Sequence, residues 1–306
     1  MSVLITGGAG FIGSHFVSFF ASKGYKVTVL DNFATGRNLH ADATYVVGDV
    51  TDTSAFDTLS TFDFVVHLAA AISVAESMTN PAKYQRSIVE GSRNVFAYAV
   101  RTGARAVLSA SSAAVYGDCG TDAITEAYRY GGISPYAQAK YDMEGIPAGD
   151  TSATRFIFCR FFNVFGPRQD PSSPYTGVMS IFIDRALRGI PITIFGDGEQ
   201  TRDFVYVKDL VCGAFALLDG GASGVFNIGT GRSTAVQRLA EICADLGGSE
   251  IVHAEPRDGD IKYSLSCPEK IFETVGWRAE TEFLDGLKAT WQWAKDGDSD
   301  GFTQRQ

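Results

Sequence analysis

Tyr136 and Lys140 stand four residues apart in Ser134-Pro135-Tyr136-Ala137-Gln138-Ala139-Lys140. Proline at a first helical turn, followed by helix-forming residues, predicts a helix with both side chains on one face. A phenol of pKa about 10 becomes a base near neutrality only when cations stabilise its phenolate, and Lys140 supplies one. Upstream, Ala106-Val107-Leu108-Ser109-Ala110-Ser111-Ser112 reads as a buried strand ending in small hydroxyl residues. Ligands gather at such strand ends, so Ser112 is placed to share a hydrogen bond with Tyr136 and a substrate hydroxyl. A serine that only satisfies loop backbone is the plainer alternative.

A second constellation opens the chain. Val3-Leu4-Ile5 leads into Gly7-Gly8-Ala9-Gly10-Phe11-Ile12-Gly13 and then a helix carrying Phe16, Phe19 and Phe20. Gly7 permits a tight turn, Gly10 lets a pyrophosphate approach the backbone, and Gly13 lets helix and strand pack closely. Three glycines alone are weak evidence. Here strand, loop, helix and second strand follow in order, and the second strand ends at Asp31, eighteen residues after Gly13. A carboxylate there binds ribose hydroxyls and repels a 2′-phosphate, and its neighbour is Asn32 rather than arginine, so NAD is expected rather than NADP. Arg37, a few residues on, is the one candidate for a 2′-phosphate ligand, a solvated loop arginine being the other reading. An oxidised nicotinamide would add to the positive charge that Tyr136 needs. Asp49, in Gly48-Asp49-Val50 after the third strand, falls within reach of an adenine amino group, or is a turn aspartate.

These residues need a scaffold. Apolar runs at 3–5, 26–30, 44–47, 64–68, 106–109 and 155–159 alternate with helix-length segments. Strands this continuously apolar are buried on both faces, which requires a parallel sheet covered by crossover helices. The fold class is therefore α/β: a Rossmann-type doubly wound parallel sheet with a smaller C-terminal α/β substrate subdomain. We expect an NAD-binding domain over 1–165, a mainly substrate-binding subdomain over 166–295, and a flexible tail over 296–306. A strand at about 224–229 is expected to return to the first domain. The 306 residues are 45% hydrophobic and 20% charged, which excludes a disordered or fibrous chain. Their net charge of −9 argues against a nucleic-acid partner. Five widely spaced cysteines without metal-ligand spacing indicate a reducing compartment and no metal. With no leader-like N-terminus and no apolar run of membrane-spanning length, the expected location is the cytoplasm, with no membrane partner.

The motifs together resemble an extended short-chain dehydrogenase/reductase, across about residues 2–293. Beyond the glycine loop, Asp31, Gly48-Asp49 and the Tyr136/Lys140 pair, the match includes His67-Leu68-Ala69-Ala70 and Ser111-Ser112-Ala113-Ala114-Val115-Tyr116-Gly117. It continues through Arg160-Phe161-Phe162-Asn163-Val164-Phe165-Gly166-Pro167-Arg168-Gln169, Gly196-Asp197-Gly198-Glu199-Gln200-Thr201-Arg202-Asp203, Asn227-Ile228-Gly229 and Arg257-Asp258-Gly259-Asp260. Within that family the stretch from Arg168 to Val178 is most similar to nucleotide-sugar 4-epimerases of the UDP-glucose type. The resemblance implies bound NAD, held by Gly7, Gly10, Phe11, Ile12, Gly13, Asp31, Asn32, Asp49, Val50, Leu68, Ala69, Ala70, Tyr136, Lys140 and Phe162. It implies catalysis by Tyr136, Lys140 and Ser112, and a UDP-sugar contacted by Ser112, Tyr136, Asn163, Val178, Arg202, Arg257, Asp260 and Ser264. The two arginines would clamp the phosphates.

Sibling activities differ in what their chemistry needs. Dehydratases of this family carry Asp-Glu after the hydroxyl residue, where this chain has Ala113 and Ala114, and neither methyl moves a proton. A uronate epimerase or decarboxylase stays open, an NADP-dependent ketoreductase is countered by Asp31-Asn32, and a non-catalytic NAD sensor has no need of the Tyr136, Lys140 and Ser112 set. Ser264 aligns where relatives carry tyrosine or a small residue, so an N-acetyl group at C2 is expected to be tolerated. Two departures stand out. Ile88 occupies a position where relatives commonly have asparagine. Pro147 and Gly149 predict a short helix after Lys140, the helix through which family homodimers pack.

Overall fold

The computed structural model describes residues 1–171, 177–256, 261–296 and 303–304. Seven strands form one sheet: β1 (Ser2–Thr6), β2 (Lys26–Asp31), β3 (Ala43–Val47), β4 (Phe64–His67), β5 (Ala106–Ser112), β6 (Arg155–Phe161) and β7 (Gly224–Ile228). Their spatial order is β7-β6-β5-β4-β1-β2-β3, with every pairing parallel. Outward from β1 the order runs both ways, so the helices fall on both faces and a crevice opens where the direction reverses.

Alternate side chains of each strand serve opposite cores. Val3, Ile5, Val27, Val29, Phe64 and Val66 pack against Phe16 and Phe20 of helix α1 (Phe11–Ser22), while Leu4, Leu30, Val65 and Val107 pack against Val95, Phe96 and Ala99 of α2 (Gly91–Thr102). Both faces being covered is the reason the strands read as unbroken apolar runs. Helix α3 (Pro135–Gly145), on the α2 side, is capped by Ser134, whose hydroxyl accepts from the Ala137 amide at 3.1 Å. It ends before Pro147, after three turns, the short helix that the sequence indicated.

A separate core joins α4 (Val178–Leu187) to α6 (Val236–Gly247) through Phe182, Ile183, Leu239 and Cys243, over the parallel pair Ile192–Phe195 and Ile251–Ala254. Between them α5 (Val207–Asp219) crosses back, burying Leu210, Val211, Ala214 and Leu217 against the α1 side of the sheet ahead of β7. The segment that rejoins the large sheet is therefore a helix as well as a strand. Of the tail, Asp296 ends a helix begun at Phe283, and the backbone of Thr303–Gln304 pairs with Asn38–Leu39; the rest lies outside the described residues. Among the described residues no helix is long and apolar enough to cross a membrane, and no group of His, Cys, Asp and Glu is gathered for a metal.

Candidate active site

At the carboxyl ends of β1, β2, β4, β5 and β6 lies a cavity of about 910 Å³. It is lined by every residue expected to touch the cofactor, namely Gly7, Gly10, Phe11, Ile12, Gly13, Asp31, Asn32, Asp49, Val50, Leu68, Ala69, Ala70, Tyr136, Lys140 and Phe162, together with Ser112.

Its floor is built from backbone. Gly7 has φ of +72°, and the Gly10 amide donates to the Gly7 carbonyl at 3.2 Å, closing the turn. A β-carbon at Gly13 would stand 2.1 Å from that same carbonyl oxygen, so only glycine fits. No side chain caps the start of α1 at Gly10, which leaves its first amides directed at the cavity for an anion. Asp31 ends β2 with Oδ2 accepting from the Ala9 amide at 3.0 Å and Oδ1 from Phe33 at 2.8 Å. Burial pushes the Asp31 carboxyl up, and those two amides pull it back only partly. Asp49 accepts from Asn32 at 2.9 Å and from the Thr51 amide and hydroxyl, each at 2.8 Å. Burial would raise it, but these donors and the nearby Arg86 hold it below the ordinary carboxylate range. Arg37 is exposed and does not line the cavity. An uncapped helix start behind a glycine turn, with a carboxylate at the end of the second strand, fits a dinucleotide without a 2′-phosphate.

The reactive side chains come from β5 and α3. Burial raises the Tyr136 phenol, and its hydrogen bond with Ser112 lowers it again in part. The Lys140 ammonium lies 5.9 Å from the centroid of the Tyr136 ring and donates to the Ala110 carbonyl at 2.6 Å. Burial brings Lys140 down to about 8, against the pull of Glu144, which favours its charge. Tyr84 meets the Tyr136 ring edge-on at 6.2 Å. The assembly is a phenol beside a serine hydroxyl, with a cation whose charge is lost only in mild alkali.

The substrate-side residues are placed differently. Asn163, Val178, Arg202 and Ser264 are each half-buried, and none lines this cavity. Arg202 sits in a short strand, Thr201–Arg202, paired with Thr234–Ala235. The segment carrying Ser264 runs beside that strand, since the Thr201 amide donates to the Lys262 carbonyl at 2.9 Å. Arg257 and Asp260 lie outside the described residues.

Ile88 is buried in a π-helical turn, Gln85–Glu90, and packs in the α2-side core. The neighbouring Ser87 lines the cavity instead, its hydroxyl accepting from the Ala71 amide at 2.8 Å. Arg86, Gln169, Glu76 and Lys83 also line the cavity and were not singled out from the sequence. Only Gln169 stood in a motif, and nothing in the spacing of the others distinguishes them from surface polar residues.

A parallel doubly wound sheet, a glycine turn opening α1 and a Tyr-Lys-Ser group at one crevice define a dinucleotide-binding oxidoreductase scaffold. Residues 3–229 match the family model described as the NAD dependent epimerase/dehydratase family, and the chain belongs to that family. It is similar to a putative UDP-glucose 4-epimerase of Methanocaldococcus jannaschii, 35% identical over 302 residues, covering 96% of this chain and 98% of that one. It is also similar to a UDP-glucuronic acid decarboxylase 1 of Xenopus tropicalis, 34% identical, covering 94% of this chain and 70% of the other. Among solved structures it resembles a UDP-N-acetylglucosamine 4-epimerase of Methanobrevibacter ruminantium in complex with UDP-N-acetylmuramic acid. That match has a TM-score of 0.90 at 33% identity and covers 96% of this chain and 97% of the other.

Proposed function

We propose that the chain is an NAD-dependent 4-epimerase of UDP-sugars, acting on UDP-glucose/UDP-galactose and, because Ser264 is small, on UDP-GlcNAc/UDP-GalNAc. The observation that carries this reading is the convergence of Ser112, Tyr136 and Lys140 on the cavity that holds the glycine turn and Asp31. NAD, when bound, supplies a hydride acceptor that later returns the hydride. Tyr136 takes the proton of the sugar 4-hydroxyl as general base while the C4 hydride leaves, and once the 4-keto sugar has turned over and C4 takes the hydride back on its other face, Tyr136 returns the proton to the ketone oxygen. Ser112 orients that hydroxyl. Lys140 holds positive charge near the phenolate, so the base is available near neutral pH. The glycine turn and first amides of α1 bind the cofactor's pyrophosphate, Asp31 its ribose, and Asp49 its adenine. Phe162 packs beside the nicotinamide. Asn163, Val178, Arg202, Arg257, Asp260 and Ser264 bind the nucleotide-sugar, the arginines on its phosphates.

Ala113 and Ala114, next to Ser112, carry no proton donor, which favours epimerisation over dehydration. We further propose a homodimer packed through α3, which sedimentation would show as twice the chain mass, and a cytoplasmic location in keeping with five free cysteines. Titration of the unreduced protein should find all five thiols. The primary test incubates the purified protein, without added cofactor, with UDP-galactose, UDP-GalNAc or UDP-glucuronate and follows the anomeric protons by NMR. Gluco epimers from the first two establish the activity. Turnover of UDP-glucuronate to a pentose alone replaces it with decarboxylation. Replacing Ser264→Tyr should abolish conversion of the N-acetyl sugar and spare UDP-galactose.

A further inference from the structure

Behind the reactive face of α3 the structure buries a pair of charges that the proposed mechanism does not use. Glu144, one helical turn beyond Lys140, is paired in two places with Arg160 of β6: Nε donates to Oε1 at 2.9 Å and Nη2 to Oε2 at 2.6 Å. Each side chain is 6% exposed. The Ser111 hydroxyl, adjacent to Ser112, donates to Glu144 Oε1 at 2.5 Å. The Arg160 guanidinium lies 4.7 Å from the Tyr116 ring centroid, and the Tyr116 hydroxyl donates to Asn227 Oδ1 at 2.6 Å. A buried ion pair is seldom retained for stability, since apolar residues of the same volume usually serve as well.

We propose that Glu144, clamped by Arg160, is a positioning residue of the reaction: it fixes the Ser111–Ser112 end of β5 and keeps a negative charge one turn behind Lys140. It touches neither substrate nor cofactor and acts through Lys140 and Ser112. Around Lys140, Tyr136 and Glu144 come from α3 itself and His67 from β4, while Arg160 follows on β6 and Tyr116 on the turn after β5. Tyr84, Glu76, Lys83, Arg86 and Glu90 stand on the segments packed against α3. Of these carboxylates, Glu76 is paired with Lys83 at 2.6 Å and Glu90 is exposed, so Glu144 is the one that supports the ammonium.

The inference rests on the epimerase reading, and its test is kept separable from it. In the NAD-loaded protein, Glu144→Gln should lower kcat roughly tenfold with little change in KM. The alkaline limb of kcat should move down by about one pH unit, because Lys140 loses its proton sooner. The Tyr136 phenolate, read from ultraviolet absorbance with Tyr136→Phe as the blank, should appear at higher pH; this readout needs no turnover. Should the single variant fail to fold, Glu144→Gln/Arg160→Gln removes both charges and must show the same two displacements. A lowered melting temperature with limb and phenolate midpoint unmoved overturns the proposal. Absence of turnover in the unmodified protein overturns the epimerase reading alone.

Discussion

The two walls of the proposed site are built in different ways. On the cofactor side, fifteen expected residues and Ser112 meet around one cavity. On the substrate side, Asn163, Val178, Arg202 and Ser264 do not line it. The first wall is made by main chain: a turn closed by Gly7 and Gly10, a strand end at Asp31, a helix start without a side-chain cap. Such features are local in sequence and are set by main-chain hydrogen bonds and by the lack of room for a β-carbon. The second wall depends on side chains at the ends of short strands and a helix of a smaller core, whose packing against the first wall local sequence leaves open.

Substitutions on each wall test whether the two act independently. Tyr136→Phe removes the proposed base and leaves the cofactor wall intact, so turnover should fall by about three orders of magnitude while NAD still copurifies; loss of NAD together with activity would mean the walls are not separable. Arg202→Ala tests the other wall. If Arg202 reaches a substrate phosphate, KM should rise about tenfold, the weight of one charge-assisted hydrogen bond, with kcat and melting temperature little changed. An unaltered KM removes Arg202 from the site. Gly13→Ala strikes the main-chain wall, where the new methyl meets the Gly7 oxygen at 2.1 Å. The fold should lose about 1–3 kcal/mol, and the purified protein should carry less NAD than the parent. Full NAD occupancy there would show that the turn can yield.

Much of this was readable beforehand, for physical reasons that also explain what was not. Continuous apolar strands announce a sheet covered on both faces, and glycine where no β-carbon fits is a strong local signal. That α5 packs on α1 instead of joining the C-terminal core was not legible, since an apolar helix face does not say which core it meets. Arg160 stood in a motif but had no assigned task, and Glu144 stood in none. The meaning of the pair lies in a contact between α3 and β6, sixteen residues apart in sequence. The Ile88 departure was visible, yet the π-helical turn that buries it and presents Ser87 was not.

The smallest effect on turnover concerns His67, which links β1 to α2 without touching the proposed chemistry. Its Nδ1 lies 2.7 Å from Thr6 Oγ1 and its Nε2 2.9 Å from Ser92 Oγ, while Ser92 donates onward to the Ile88 carbonyl at 2.5 Å. Because the Ser92 proton is committed to Ile88, Nε2 carries a hydrogen, and in the neutral ring that burial favours Nδ1 accepts from the Thr6 hydroxyl. Burial, with Lys140 nearby, takes His67 down to about 3, whereas an unfolded histidine titrates near about 6.5. The folded state thus binds fewer protons across that interval. The stability that the neutral ring supports is complete above pH of about 6.5 and is lost as pH falls toward about 3, at up to about 1.4 kcal/mol per pH unit. His67→Gln keeps a donor and an acceptor and cannot titrate. Its melting temperature should lie below that of the parent at pH 8, and the gap should narrow steadily from pH 6.5 to pH 4, with kcat near pH 8 almost unchanged. Parallel melting curves across that range would show that His67 is charged in the fold or still buried on unfolding.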